Sequence, residues 1–234
     1  IDLSQGYTAI GVPLGRNFGI GAGAVAFRAS GILAEYQTTA GLSARFSRMS
    51  AGVSATYLYH DYEIAKDPNY SGHGAFANGS SKGAVGFNVG FMGFVAPNLQ
   101  LGMAGRNLNN PDVGLVSSDP VPPEISFGAL YRFSRLNAMI ELGQRDDAAA
   151  GQSSTIWKLG AEVPFSVLSL RAGLNDNSMS AGLGMRWGAL QINYAFTFYT
   201  SIEASNLGGQ MLALSYRMAG SRLSGARKLQ ARRN

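Results

Sequence analysis

Large apolar residues alternate with small or polar residues along much of the chain. In the stretch LQINYAFTFYT, the apolar Leu190, Ile192 and Phe196 fall on one face of an extended strand. Gln191 and Asn193 fall on the other face. A soluble sandwich and a membrane barrel both produce such a strand, so the number and spacing of the strands must decide between them.

The same alternation recurs at least five more times. It is clear in segments 84–91, 125–133, 168–174, 180–187 and 212–218. In nearly every segment the second face carries glycine, serine, alanine or a charged residue. Such a face would make a poor protein core, whereas it suits the wet interior of a barrel.

The alternation predicts thirteen strands joined by links of different lengths. We place the strands at 3–12, 18–28, 37–46, 50–60, 83–95, 99–107, 124–133, 136–145, 154–163, 167–174, 179–187, 190–199 and 209–218. The links 13–17, 47–49, 96–98, 134–135, 164–166 and 188–189 are short. They alternate with long links at 29–36, 61–82, 108–123 and 146–153 and with medium links at 175–178 and 200–207. Tight turns at one end and loops at the other are typical of outer-membrane barrels.

Composition agrees with a membrane setting. Hydrophobic residues make up 46% of the 234 residues and charged residues only 14%, against roughly 25% in ordinary soluble domains. No run of 18 or more apolar residues occurs, which excludes a helical membrane span. Cysteine is absent, so disulfides and thiolate metal sites are excluded.

Charge is distributed unevenly along the chain. Twelve of the 14 acidic residues lie in or beside the long links, and only Glu141 and Glu162 lie within strands. The segment 219–234 carries five of the 19 basic residues, so the rest of the chain has 14 bases against 14 acids. The net charge of +5 therefore belongs to a basic tail. Without stacking aromatic residues beside it, this tail does not predict nucleic-acid binding.

Strand parity predicts one more strand. If the C-terminus is periplasmic, the first of thirteen strands begins on the outer side of the membrane. Single-chain bacterial barrels usually have an even number of strands with both termini periplasmic. We therefore expect about fourteen strands, with thirteen visible in this sequence.

Basic residues on the polar face are the candidate ligand-binding groups. Arg45, Arg132, Arg186 and Arg217 each lie near a short link or the tail, on strands that run in the same direction. They predict a basic belt in the lumen. Further inward charges are Arg106, Lys158 and Arg171, with Glu141 and Glu162 as candidate partners. Two readings stay open: selectivity for an anionic head group, or a salt-bridge network that fills the barrel.

Two other motifs give little support for a specific chemical function. The run Gly21-Ala22-Gly23-Ala24-Val25-Ala26 matches a dinucleotide-binding pattern, but no crossover helix and no acidic residue about 20 positions later accompany it. His60 and Asp61 lie at a loop, where solvated polar groups are the simpler interpretation. The sequence predicts no enzyme, no cofactor and no metal site.

Several runs together resemble a known family. These are LQLGMAGRNLNNPDVGL, PPEISFGALYRF, SLRAGL, SAGLGMRWGALQINYAF and GGQMLALSYRM. They resemble the barrel portion of the FadL/PorV-like outer-membrane proteins. The resemblance implies a fourteen-stranded barrel and transport of long-chain fatty acids or other hydrophobic compounds. Its PorV-type branch implies a shuttle in protein secretion. The family's N-terminal plug segment is not present in this sequence.

The prediction is an all-β fold, a transmembrane antiparallel up-and-down β-barrel over residues 1–218 with a basic periplasmic tail over residues 219–234. We expect it in the bacterial outer membrane, among lipids, transporting or binding hydrophobic or amphipathic molecules such as fatty acids. The alternative is a PorV-type shuttle or a structural partner of other envelope proteins, held through loops 61–82 and 108–123.

Overall fold

Thirteen β-strands follow one another in the part of the chain that the structure describes. The computed structural model describes residues 3–70, 72–77, 79–147, 152–200 and 208–218. The strands are Leu3–Leu14 (β1), Phe18–Ala29 (β2), Leu33–Phe46 (β3), Met49–Asp61 (β4), Ser81–Ala96 (β5), Leu99–Arg106 (β6), Glu124–Arg132 (β7), Asn137–Asp147 (β8), Gln152–Pro164 (β9), Leu168–Asn175 (β10), Ser178–Trp187 (β11), Leu190–Tyr199 (β12) and Gly209–Tyr216 (β13). Each predicted strand is therefore confirmed, with its ends shifted by up to four residues.

The strands form one antiparallel sheet in which each strand pairs with its neighbours in the sequence, in the order β1 to β13. This up-and-down order confirms the predicted fold class. A fourteenth strand stays a prediction, and the tail 219–234 lies outside the described residues. No helix among the described residues is long and apolar enough to cross a membrane.

One predicted link is wrong. The long link expected at 29–36 is a tight turn of residues 30–32, because β3 begins at Leu33 and Ala34 pairs with Asp61. The amide of Ile32 donates a 3.0 Å hydrogen bond to the carbonyl of Ala29, and Gly31 takes a φ of 76°. Glycine adopts this left-handed conformation without strain, which allows so short a turn.

Two compact units make up the chain. The first comprises Ile1–Leu130 and Ile140–Trp157, and the second comprises Tyr131–Met139 and Lys158–Asn234. In each unit every link at one end of the strands is short, and we call this the turn end. The opposite end is the loop end, which also has two tight turns, residues 30–32 in the first unit and 176–177 in the second. In the first unit the loop end carries the link 62–80, with two short 3-10 helices at Glu63–Lys66 and Gly74–Phe76, and the link 107–123.

The two faces of the sheet differ as the alternation predicts. In the first unit Leu42, Val53 and Val89 pair across β3, β4 and β5, so their side chains share one face. In the second unit Leu170 and Leu183 pair across β10 and β11. Leu42, Val53, Leu170 and Leu183 are exposed, and we call their side of the sheet the apolar face. The only buried hydrophobic side chains among the described residues are Ala29, Ala34, Leu58 and Val113, so these strands do not enclose a protein core of the soluble kind.

Aromatic residues border the apolar face of the first unit. At the loop end the rings of Tyr36 and Tyr57 each lie near that of Tyr59, with centroids 6.3 and 6.4 Å away. Phe46 ends the same face of β3 at the turn end. The ten-residue step from Tyr36 to Phe46 spans about 33 Å along the strand, or about 25 Å with the usual barrel tilt. That height matches the apolar band of a membrane barrel.

Candidate functional site

The polar face of the first unit holds a cavity of about 860 Å³. Its walls come from residues of β1 to β6, and glycines such as Gly21, Gly41 and Gly90 are among them. Polar side chains project among them. Those used below are Thr39, Ser54, Thr56, Asn88, Arg106 and Asn107.

Asn88 connects three strands of this cavity to the link after β6. Its side-chain amide nitrogen donates to the hydroxyls of Ser54 and Thr56, at 3.1 and 3.0 Å. Its amide oxygen accepts the backbone N–H of Asn107 at 3.0 Å. Thr56 also shares a 2.8 Å hydrogen bond with Thr39. The cavity wall is thus a connected hydrogen-bond network from β3 to the start of the link 107–123.

The link 107–123 is fastened to the edge of β5. β6 is only eight residues long, and Val89 is the β5 residue closest to the loop end that pairs with it. Beyond that point the side chain of Asn109 accepts the N–H of Phe87 and donates to the carbonyl of Val85, both at 2.8 Å. An asparagine side chain therefore satisfies backbone groups that a neighbouring strand would otherwise satisfy.

Asp112 organises the interior of the same link. Its carboxylate accepts the backbone N–H groups of Asp119 and Gly114, at 2.8 and 2.9 Å, and the hydroxyl of Ser118 at 2.9 Å. These donors, the Asp119 N–H first, hold the pKa of Asp112 below its usual value. Val113 beside it is only 2% exposed. The link is consequently a folded element with a buried side chain of its own.

An Arg–Glu–Arg triad closes the base of this link. Arg106, the last residue of β6, binds Glu124, the first residue of β7, at 2.5 Å. Arg145 of β8 binds the other carboxylate oxygen at 2.8 Å, and the Glu124 side chain is 10% exposed. Sequence reasoning assigned Glu124 to the acidic rim and offered Glu141 or Glu162 as partners for Arg106. Strand order could have predicted this pair, because Arg106 and Glu124 flank one link and therefore lie at the same end of neighbouring strands.

A second polar network lies in the second unit. Arg171 binds Glu162 through Nε at 2.6 Å and Asn193 through Nη1 at 2.6 Å. Asn137 donates to the other oxygen of Glu162 at 3.1 Å, and Gln191 donates to Asn193 at 3.1 Å. The predicted pairing of Arg171 with Glu162 is confirmed. Arg171 is held on both sides by acceptors, as a structural role requires.

The remaining predicted residues occupy separate positions. Arg45 lies opposite Ser50, and Arg186 lies opposite Gln191. Lys158 lies opposite Asn175 on the polar face, Arg132 ends β7, and Arg217 follows β13 and donates its backbone N–H to Ala189 at 2.9 Å. Arg45 belongs to the first unit, and Arg132, Arg186 and Arg217 belong to the second. The basic belt that would join them stays a prediction.

Comparison with known proteins gives matches only at the level of structure. No protein-family model matches the sequence, and no curated protein sequence matches it either. The Pseudomonas putida toluene transporter TodX is similar with a TM-score of 0.66 and 12% identity, over 89% of this chain and 79% of that chain. The Ralstonia pickettii toluene transporter TbuX gives 0.64 and 13%, over 91% and 81%.

A FadL homologue of Pseudomonas aeruginosa is also similar, with a TM-score of 0.55 and 14% identity over 88% of this chain and 73% of that chain. Identities this low establish a shared fold and nothing finer. The resemblance drawn from the sequence is thus confirmed at that level: the chain has the fold of the FadL-like β-barrels.

Proposed function

We propose that the protein is a non-enzymatic outer-membrane barrel through which hydrophobic or amphipathic molecules pass. The observation that carries this proposal is the fold, shared over about nine-tenths of the chain with two proteins described as toluene transporters. A protein described as a monoaromatic hydrocarbon channel is similar too, with a TM-score of 0.59 and 12% identity.

The surface supports a membrane location. The apolar face bears exposed leucine, valine and phenylalanine side chains along whole strands, and aromatic residues border it. Burying such a face in lipid is favourable, because each square ångström of apolar surface removed from water contributes roughly 25 cal/mol. The proposal includes the bacterial outer membrane and a periplasmic position for the tail 219–234.

The polar face supports a passage for molecules that carry a polar group. Arg45 and Arg217 make no salt bridge within the described residues, which leaves their charges for a ligand, whereas Arg186 interacts electrostatically with Glu162 without a direct salt bridge. Together with Arg132 they form the proposed belt, which would favour an anionic head group such as a fatty-acid carboxylate. The structural alternative, charges that only hold strands together, fits Arg171 better than it fits these residues.

Uptake across an outer membrane tests the proposal. The full chain is expressed in a Gram-negative strain that lacks its own channels for hydrophobic compounds, and entry of toluene and of a long-chain fatty acid is followed. We expect faster entry of at least one probe than in cells with an empty vector. A folded, heat-modifiable protein in the outer membrane that accelerates neither probe would overturn the transport proposal.

A partner-binding role is the second candidate. Tyr70 in the link 62–80 and Val116 in the link 107–123 are exposed large apolar residues outside the strands. Such side chains are suited to contact another protein. Gentle extraction of the native complex distinguishes the two roles, because a stoichiometric protein partner on these links favours the secretion-shuttle alternative.

A further inference from the structure

Three turns of the protein pair an arginine with a phenylalanine two positions away. Arg16 lies in the turn between β1 and β2, two residues before Phe18 begins β2, and Arg48 lies in the turn between β3 and β4, two residues after Phe46 ends β3. The turn after β7 contains Phe133 and Arg135. The sequence is Phe-Ser-Arg in two of these turns and Arg-Asn-Phe in the third. Each turn lies at the turn end of its own unit.

The phenylalanines mark the edge of the apolar face. Phe18, Phe46 and Phe133 are 60%, 60% and 54% exposed. Each continues the apolar alternation of its strand, and the ring of Phe133 lies 4.5 Å from that of Tyr131. Aromatic residues at the ends of a barrel's apolar band lie at the level of the lipid head groups. An arginine two residues from the phenylalanine, on the side of the turn, therefore reaches the level of the phosphates.

No carboxylate of the described residues pairs with the arginines of these turns. Within the described residues Arg16, Arg48 and Arg135 are exposed, and no side-chain hydrogen bond or salt bridge involves them. Cations at the loop end behave differently. Arg28 binds Glu63 at 2.7 Å, and Lys66 binds Asp61 at 3.0 Å. These two loop-end cations thus have carboxylate partners, which the three turn arginines lack within the described residues.

We propose that each of these three turns binds the phosphates of anionic phospholipids in the leaflet that surrounds the turn end of its own unit. A guanidinium group presents a fork of donors that matches two phosphate oxygens. Arginine keeps this charge at any physiological pH, and the neighbouring phenylalanine holds the turn at the lipid interface. The turns thereby enrich anionic lipid around the protein, independently of what passes through it.

A local fluorescence reporter tests one turn at a time. The full chain has two tryptophans, so Trp157→Phe and Trp187→Phe leave a background into which Phe46→Trp brings one reporter beside Arg48. The protein is reconstituted into phosphatidylcholine vesicles that contain either brominated phosphatidylcholine or brominated phosphatidylglycerol. Bromine quenches tryptophan only on contact, so the two quenching curves give the lipid preference at this turn. We expect phosphatidylglycerol to be preferred about fivefold, which corresponds to ~1 kcal/mol for one basic residue near an anionic surface.

Matched variants distinguish lipid binding by Arg48 from a general effect of the net positive charge. Arg48→Gln should abolish the preference, whereas Arg48→Lys should retain most of it. Arg45→Gln removes the same charge from the same hairpin but on its polar face, so the preference should remain. Every variant is first checked for heat-modifiable mobility, which reports folding in the vesicle.

Three results would overturn the inference. An unchanged preference in Arg48→Gln would show that the arginine does not select lipid. An equal loss in Arg45→Gln would assign the effect to the net charge of that end. Equal quenching by both lipids in the unmutated reporter would leave the arginines for another anionic partner, such as an acidic protein. Quenching by neither lipid would contradict the membrane location itself, which distinguishes that failure from the others.

Discussion

Arg171 of β10 and Asn193 of β12 are joined by a 2.6 Å hydrogen bond that passes over Gly184 of β11, the strand between them. A Cβ atom at position 184 would lie 2.4 Å from the Ser169 hydroxyl, 2.9 Å from the Asn193 oxygen and 3.1 Å from the Arg171 nitrogen. Because Gly184 has no side chain, Arg171 and Asn193 on the two outer strands can form their hydrogen bond across β11.

Gly184→Ala should therefore destabilise the protein by about 1–3 kcal/mol, because the methyl group forces the polar network apart. Urea unfolding in detergent, followed by tryptophan fluorescence, measures the loss. Gly90→Ala is the matched control: it also lies on the polar face of a strand, and the nearest atom to its added Cβ would be 3.9 Å away. Equal losses in both variants would mean that glycine-to-alanine strain alone accounts for the effect.

Leu183→Arg should destabilise the membrane-embedded protein by about 2–4 kcal/mol, since a charge on the lipid face near mid-membrane cannot be solvated. Ala195→Arg is the comparison, because Ala195 pairs with Gly182 and belongs to the polar face at almost the same height. Its cost should be much smaller. Folding equilibria in lipid vesicles give both values. Similar costs at the two positions would contradict the assignment of the faces.

Asp112→Ala should loosen the link 107–123 at neutral pH, because Gly114 and Asp119 lose the acceptor of their amide hydrogens. The measurement is hydrogen exchange of these two amides, corrected for intrinsic rates, and both should exchange faster in the variant. Amides such as those of Phe91 and Val89 in β5 provide the internal control and should keep their protection.

The pH dependence of this link follows from the lowered pKa of Asp112. A carboxylate whose pKa is lower when folded contributes stability above the ordinary value of 3.8 and loses it as the pH falls through the lowered pKa. Protection of Gly114 and Asp119 should therefore persist at mildly acidic pH and disappear only on stronger acidification. Loss of protection well above the ordinary value would contradict the role given to this carboxylate.

Substitution of all four belt arginines, Arg45, Arg132, Arg186 and Arg217, by glutamine should reduce uptake of a fatty acid and leave uptake of toluene nearly unchanged. Glutamine keeps much of the length and hydrogen bonding but removes the charge, so only the attraction for an anion is lost. Cellular uptake of the two probes is the measurement. If both fall equally while the protein still folds, the arginines hold the strands together and do not select the ligand.

Alternation alone was sufficient to find every strand, because lipid on one side and a polar interior on the other constrain successive residues independently of distant contacts. The predicted start of β3 at residue 37 was too late, although Ala34 and Glu35 continue the alternation of the strand, because the pairing of Ala34 with Asp61 decides the boundary. A short local pattern contains no information about that partner.

The polar contacts were harder to predict for the same reason. Glu162 was one of two candidate partners offered for Arg106, Lys158 and Arg171, and it pairs with Arg171, the charged residue opposite it on the neighbouring strand. The hydrogen bonds of Asn88 and Asn109 arise because β6 stops short of the loop end of β5. The sequence around a neutral asparagine does not predict this difference in strand length. Partners of charged residues can be proposed from a sequence, whereas hydrogen bonds from an asparagine side chain to backbone groups become apparent only in the structure.

The length of a loop and the register of the strands beside it usually change together in a barrel. The side chain of Asn109 makes them independent in this link. Because the attachment to Phe87 and Val85 is complete at residue 109, the chain beyond it can gain or lose residues around 114–118 without pulling on β5. The same insertion between Arg106 and Asn109 would shift the amide off its two partners and detach the whole link. A change of length at the tip of the link therefore leaves β5 undisturbed and is limited only by the contacts of Asp112, whereas a change at the root disturbs β5 itself.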